Sequence, residues 1–204
     1  MANKRKTQTM NKLNAAFVTL LSQESFETMT VKELIDEAGI SRATFYAHFD
    51  DKYDFIHRME TDLLTTLKTM MLDEPYELKD GSAIVTNEAV KRVLTFIQAH
   101  MAIVRTLMSP NGDARFFENV KKTAYAILVD FARGHRENAL PLDKLPSKYV
   151  QNVFVGNVFT IIQTWINEDS ERDVDTIFSY IQYAQSTAPV ALLNISPKDL
   201  GWSK

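Results

Sequence analysis

The stretch GISRATFYAHF, Gly39 to Phe49, gathers side chains able to meet a nucleic acid. Arg42 carries a planar fork of N–H donors, Ser41, Thr44 and Tyr46 carry hydroxyls, and His48 can take a proton; such groups bond base edges and phosphate oxygens. Ala43 and Ala47 are small enough to let a backbone come close to a groove. No acid occurs from residue 38 to 49, although the chain has a net charge of -3 and residues 1 to 60 hold 8 Lys/Arg against 9 Asp/Glu. Bulk charge therefore gives no sign of a polyanionic partner, and any such sign lies in where the charges sit.

Thr44, Phe45, Tyr46 and Phe49 each favour a strand, but their spacing favours a helix. At about 100° per residue from Ser41, Phe45 and Phe49 fall near 40° and 80° on one face, whereas Ala43 and Ala47 fall near 200° and 240° on the other. This predicts a helix starting at Ser41 as N-cap, with the two phenylalanines inward and a strip from Arg42 to His48 outward. The third helical position holds Thr44 rather than the Glu of a capping box, which suits a surface facing phosphate. The preceding TVKELIDEAG places Val31, Leu34, Ile35 and Ala38 at helical spacing, with Thr30 and Glu33 as a capping box and Gly39 at the left-handed stop. Two capped helices joined by a glycine turn also occur in bundles that never touch DNA, so that reading stays open.

Elsewhere the 204 residues carry 45% apolar side chains with only six glycines and six prolines, and helical periods dominate. An all-α fold follows. A first helix is expected from Thr7 to Leu21 behind Lys4, Arg5 and Lys6, and a fourth from Asp50 to before Pro75 with Tyr53, Ile56, Leu63, Leu67 and Met70 on one side. Further helices are expected near 86–108 with a break at His100, then 113–133, 147–168 and 173–186. The tail after Ser186 receives no element. Cysteine is absent and no run of about 18 apolar residues occurs, which suits a cytoplasmic protein that neither spans a membrane nor is exported. The four histidines share no metal-ligand spacing, and no phosphate-binding glycine loop or nucleophile motif appears, so neither enzyme, metal nor cofactor is expected.

TVKELIDEAGISRATFYAHFDDKYDFI resembles the helix-turn-helix signature of the TetR family of bacterial transcriptional regulators, in the elements T-V, A-G-I-S, T-F-Y-x-H-F and x-x-K. Ser25 departs from the glycine common before the aromatic. The resemblance implies a homodimer with a DNA-binding domain at 1–52, containing three helices, and a helical effector-binding and dimerisation domain at 53–204. It also implies that Thr30, Lys32, Tyr46, His48 and Lys52 clamp phosphates, that Arg42, Ala43 and Thr44 face bases, and that Ser41 caps the helix. Such a protein would bind a palindromic operator on double-stranded DNA and, as a repressor, leave it when a small molecule binds. A transcriptional activator or a helical adaptor answering to a protein partner is the alternative.

In the second domain, Phe96, His100, Met101, Met108, Phe116, Tyr125 and Phe131 could line a mostly apolar effector pocket, although such a stripe also serves as plain core. The segments 147–168 and 173–186 look similar to the pair that builds the family's four-helix dimer interface. On that resemblance Val153, Ile161, Trp165, Ile177 and Ile181 are interface candidates, with Tyr149 and Gly156 beside them. The spacing from Gly156 to Trp165 is loosely similar to a branch that includes activators of dihydroxyacetone utilisation; no role is carried over from it.

Overall fold

In the computed structural model, residues 2–72, 87–134, 147–168, 172–187 and 192 are described. The regular elements among them are all helices: α1 (Ala2–Leu21), α2 (Val31–Ala38), α3 (Arg42–Tyr46), α4 (Lys52–Leu72), α5 (Asn87–Ala99), α6 (Met101–Met108), α7 (Ala114–Gly134), α8 (Ser147–Asn167) and α9 (Val174–Ser186). The break at His100 and the starts of α8 and α9 match the periodicity. α1 begins earlier than expected: residues 4–6 are helical backbone, since alanine, lysine and arginine are good helix formers and no breaker separates them from Thr7. The tail after Ser186 lies largely outside the described residues, as does the side chain of Phe131.

The chain forms two compact units, Met1–Met70 with Ala99–Thr123, and Met71–Gln98 with Ala124–Lys204. In the first, α1 packs on α2 and α6, and α2 on α3. Leu13, Phe17, Leu34, Phe45, Phe55, Leu107 and Phe116 are fully enclosed. The aromatic rings interlock edge to face, Phe17 on Phe55 at 5.7 Å and Phe49 on Phe55 at 5.2 Å, with Phe45 5.4 Å from Phe49. Each buried phenylalanine contributes roughly 1.5–3 kcal/mol, and each ring pair about 0.5–1.5 kcal/mol more. These contacts carry the unit past the expected boundary at residue 52, because the first turns of α4 deliver Phe55, Ile56 and Met59 into the same core.

In the second unit, α8 packs on α9, burying Trp165, Ile166, Ile177, Phe178 and Ile181. The Trp165 indole N–H donates to the Arg172 carbonyl at 3.1 Å, and Asp173 caps α9 by accepting from the Thr176 N–H at 2.7 Å. Lys91 of α5 reaches Asp175 at 2.6 Å and lies over the Phe178 ring, tying α5 to α9. Trp165, Ile177 and Ile181, expected at an interface, are each 2% exposed within their own chain. Val153 is exposed and Ile161 half-buried.

Candidate nucleic-acid interface

The helix pair is built from strong local signals. Thr30 caps α2 by accepting from the Glu33 N–H at 3.2 Å, while the Glu33 carboxylate accepts from the Thr30 N–H at 2.8 Å and from its hydroxyl at 2.6 Å. Those bonds hold the Glu33 carboxyl below its ordinary range, the Thr30 hydroxyl counting most. Gly39, at φ 59°, ends α2: its N–H reaches the Asp36 carbonyl at 3.2 Å and the Ile40 N–H reaches Ile35 at 3.2 Å, a Schellman stop that a side chain would strain. Ser41 then caps α3 through the Thr44 N–H at 3.0 Å, and its hydroxyl pairs with that of Thr44 at 2.8 Å.

α3 divides as the angular arithmetic requires. Phe45 is 0% and Phe49 3% exposed, whereas Tyr46 is 53% exposed. Ser41, Arg42, Ala43 and Ala47 are exposed too, with Thr44 and His48 half-buried at the edges. The Tyr46 ring stands edge-on to Phe45 at 5.4 Å, and His48 lies 6.2 Å from Phe49. Arg42 and Lys32 are exposed and make no hydrogen bond or ion pair among the described residues. Both cations are thus available to an external anion.

Two expected phosphate contacts are differently employed. The Thr30 hydroxyl has its one proton on Glu33, leaving no donor for a phosphate. The Lys52 ammonium donates to the carbonyls of Phe26 at 2.9 Å, Glu27 at 2.7 Å and Met29 at 2.8 Å, which uses all three of its protons. It also lies 5.1 Å from the Phe26 ring centroid and 5.2 Å from that of Tyr53. The resemblance implies phosphate roles for both residues, whereas here their donors are engaged within the chain. Ser25, the departure from the family pattern, opens this loop without strain, its carbonyl accepting from the Thr28 N–H at 3.2 Å and the Met29 N–H at 3.1 Å.

The expected effector residues are divided between the two units. His100, Met101 and Phe116 belong to the first unit, with His100 exposed and Phe116 2% exposed, whereas Phe96 and Tyr125 belong to the second. A residue the periodicity did not single out is Glu60 of α4, buried at 6% exposure with its Oε1 lacking a hydrogen-bond partner among the described residues. Burial first, and the Asp113 charge second, push its carboxyl up to about 7, against the pull of Arg115.

Two capped helices on a glycine turn, the second showing an acid-free strip of hydroxyls, an arginine and alanines, define a helix-turn-helix DNA-binding regulator. Residues 13–59 match the family model described as bacterial regulatory proteins, tetR family, and residues 86–185 match that of a transcriptional regulator C-terminal region. The chain belongs to the TetR family of bacterial transcriptional regulators. It is 21% identical over 162 residues to YxbF, an uncharacterized HTH-type transcriptional regulator of Bacillus subtilis, covering 79% of this chain and 40% of that one. The chain thus spans well under half the length of YxbF. An uncharacterized HTH-type regulator of Haemophilus influenzae is 25% identical, over 74% of this chain and 72% of its own. Among solved structures, a TetR regulator from Streptococcus agalactiae shares the fold with a TM-score of 0.60 at 17% identity, covering 90% of this chain and 97% of that chain. The fatty acid degradation regulator FadR of Bacillus halodurans does so with a TM-score of 0.63 at 12% identity, over 89% and 96%.

Proposed function

We propose that this regulator acts in the cytoplasm as a homodimeric repressor that binds a palindromic operator and is released by a small molecule. The observation carrying the DNA reading is the exposed, acid-free face of α3 above the buried Phe45 and Phe49. Arg42, Ala43 and Thr44 meet base edges, Ser41 caps α3, and Tyr46, His48 and Lys32 meet phosphates. Thr30 and Lys52 act on the protein side, setting how the chain enters α2.

For dimerisation, the exposed face of α8 and α9 is the better candidate: Tyr149, Val153, Tyr180 and Tyr183 lie open there. Gly156 sits in the same row of α8, and a Cβ added to it would meet nothing within 4 Å. A second copy's helices can approach closely at such a position. Two-fold symmetry then sets the two α3 helices in successive major grooves, about 34 Å apart. The effector is taken up by the helices after residue 86 and releases DNA only if it binds the released state better than the bound one.

Selection of duplexes from a random pool by the full chain, followed by footprinting, tests this reading. A palindrome protected on two successive grooves is expected; absence of any salt-dependent, sequence-selective binding overturns it. A reporter promoter carrying the selected site separates a repressor from an activator.

A further inference from the structure

We propose that Asn111, in the turn between α6 and α7, is a positioning residue for DNA reading, fixing the helix-turn-helix by clasping the end of α1 and the loop that enters α2. This rests on the DNA-binding reading above. The Asn111 side-chain amide donates to the Leu21 carbonyl at 2.9 Å, across 90 residues of sequence, and the Asn111 carbonyl accepts from the Phe26 N–H at 2.8 Å. Leu21 is the last residue of α1, where a carbonyl has no partner within its helix, so Asn111 supplies the missing donor. Phe26 is held at every polar backbone atom: its N–H by Asn111 and its carbonyl by Lys52, with its ring buried at 3% exposure. Through Met29, whose carbonyl also binds Lys52, the loop hands that fixed geometry to the Thr30 cap and so to α2 and α3.

The turn can serve as an anchor because it is itself bolted to α6. The Ser109 hydroxyl donates to the Thr106 carbonyl at 2.8 Å and accepts from the Asn111 N–H at 3.2 Å, and the Gly112 N–H reaches the Ser109 carbonyl at 3.0 Å. A Cβ on Gly112 would stand 2.5 Å from the carbonyl oxygens of both Thr106 and Leu107. Only glycine lets the backbone close there, and the closure aims Asn111 at Leu21 and Phe26. The DNA-reading helices are thereby completed by residues far beyond the first four helices. Hydrogen bonds lose strength steeply once they lengthen beyond about 3.2 Å, so a small displacement of this turn releases the loop.

The test uses two full-length variants and the duplex selected by the unaltered chain. Asn111→Asp keeps the shape but turns a carboxylate oxygen toward the Leu21 carbonyl, and Gly112→Ala shifts the turn while leaving Asn111 intact. Measured where circular dichroism shows each variant folded, both should bind the duplex at least about tenfold more weakly with the salt dependence unchanged, since no phosphate contact is removed. Amide exchange should quicken at Phe26 and along 22–29, and stay unchanged in α8 and α9. A purely structural role would lower the melting temperature and leave the affinity of folded protein alone, and that result overturns the proposal. So does wild-type protection of the Phe26 amide in both variants. If one variant fails to fold, the other decides. Should the unaltered chain select no duplex, the DNA reading falls by itself, and the Phe26 amide still reports whether the clasp exists.

Discussion

Replacing Lys52 by methionine separates two roles that a lysine beside a DNA-binding helix can have. Methionine keeps the length and the packing on Phe26 and Tyr53 but removes the charge and all three donors. The carbonyls of Phe26 and Met29 are partly buried, and that of Glu27 is exposed. A hydrogen bond from a charged donor contributes about 1.5–3 kcal/mol net when buried and less when exposed, so Lys52→Met should cost roughly 2–4 kcal/mol of stability. DNA affinity should fall as well, because the loop entering α2 loosens. The slope of log affinity against log salt is the discriminating readout: each phosphate neutralised contributes about 0.9 to it, so a lysine already occupied by carbonyls leaves it unchanged. Urea melts and a salt titration of the selected duplex give both numbers. A slope lower by about one with an unchanged melt would refute the carbonyl assignment and restore Lys52 as a phosphate clamp.

Three further outcomes are expected. Arg42→Ala should cost about 1–3 kcal/mol of binding, concentrated at one operator position, as competition with single-base variants of the selected duplex will show. Val153→Glu combined with Tyr183→Glu should yield a folded monomer in sedimentation, since both side chains are exposed in the isolated chain; a persistent dimer would move the interface elsewhere. Glu60→Gln should stabilise the protein at high pH. The folded carboxyl titrates at about 7 against an ordinary 4.5, so the folded state holds a proton that the unfolded chain releases, and stability falls as pH rises from 4.5 to 7 and levels off above. That interval sets a ceiling of about 3 kcal/mol at 1.36 kcal/mol per pH unit, and solvent relaxation around the group lowers the expected gain to roughly 1–2 kcal/mol. Urea melts of both proteins should coincide near pH 5 and separate by pH 8; parallel curves across that range would sink the assignment.

What could be read from the sequence was local. Thr30 and Glu33 announce a capping box, Gly39 a left-handed stop, and the spacing of Phe45, Phe49, Ala43 and Ala47 divides α3 into its two faces before any coordinate is known. What could not be read depends on partners far along the chain. Lys52 looks like a solvated cation at the start of α4 until the loop 23 to 26 residues earlier folds its carbonyls around the ammonium. The burial of Trp165 was equally hidden, because periodicity reports that a face is apolar, not whether the same chain covers it. Asn111 and Glu60 carry no spacing signal, since a lone asparagine in a turn and a lone glutamate on a helix are ordinary until their surroundings are known. The reach of the first unit as far as Met70 was hidden for the same reason: α4 starts at Lys52 as an element but not as a packing unit.

α3 has five residues, too few to sustain a helix in water, where even much longer peptides are marginal. Its order is lent to it by the Ser41 cap and by Phe45 and Phe49 seated against the rings of the first unit. The DNA-reading surface consequently has no melting transition of its own. On warming, the amides of α3 should exchange with the same opening free energy as Phe17 and Phe55, and operator recognition should vanish together with the core rather than fading ahead of it. The protein's hold on DNA would thus persist at full strength almost to the temperature at which that core unfolds.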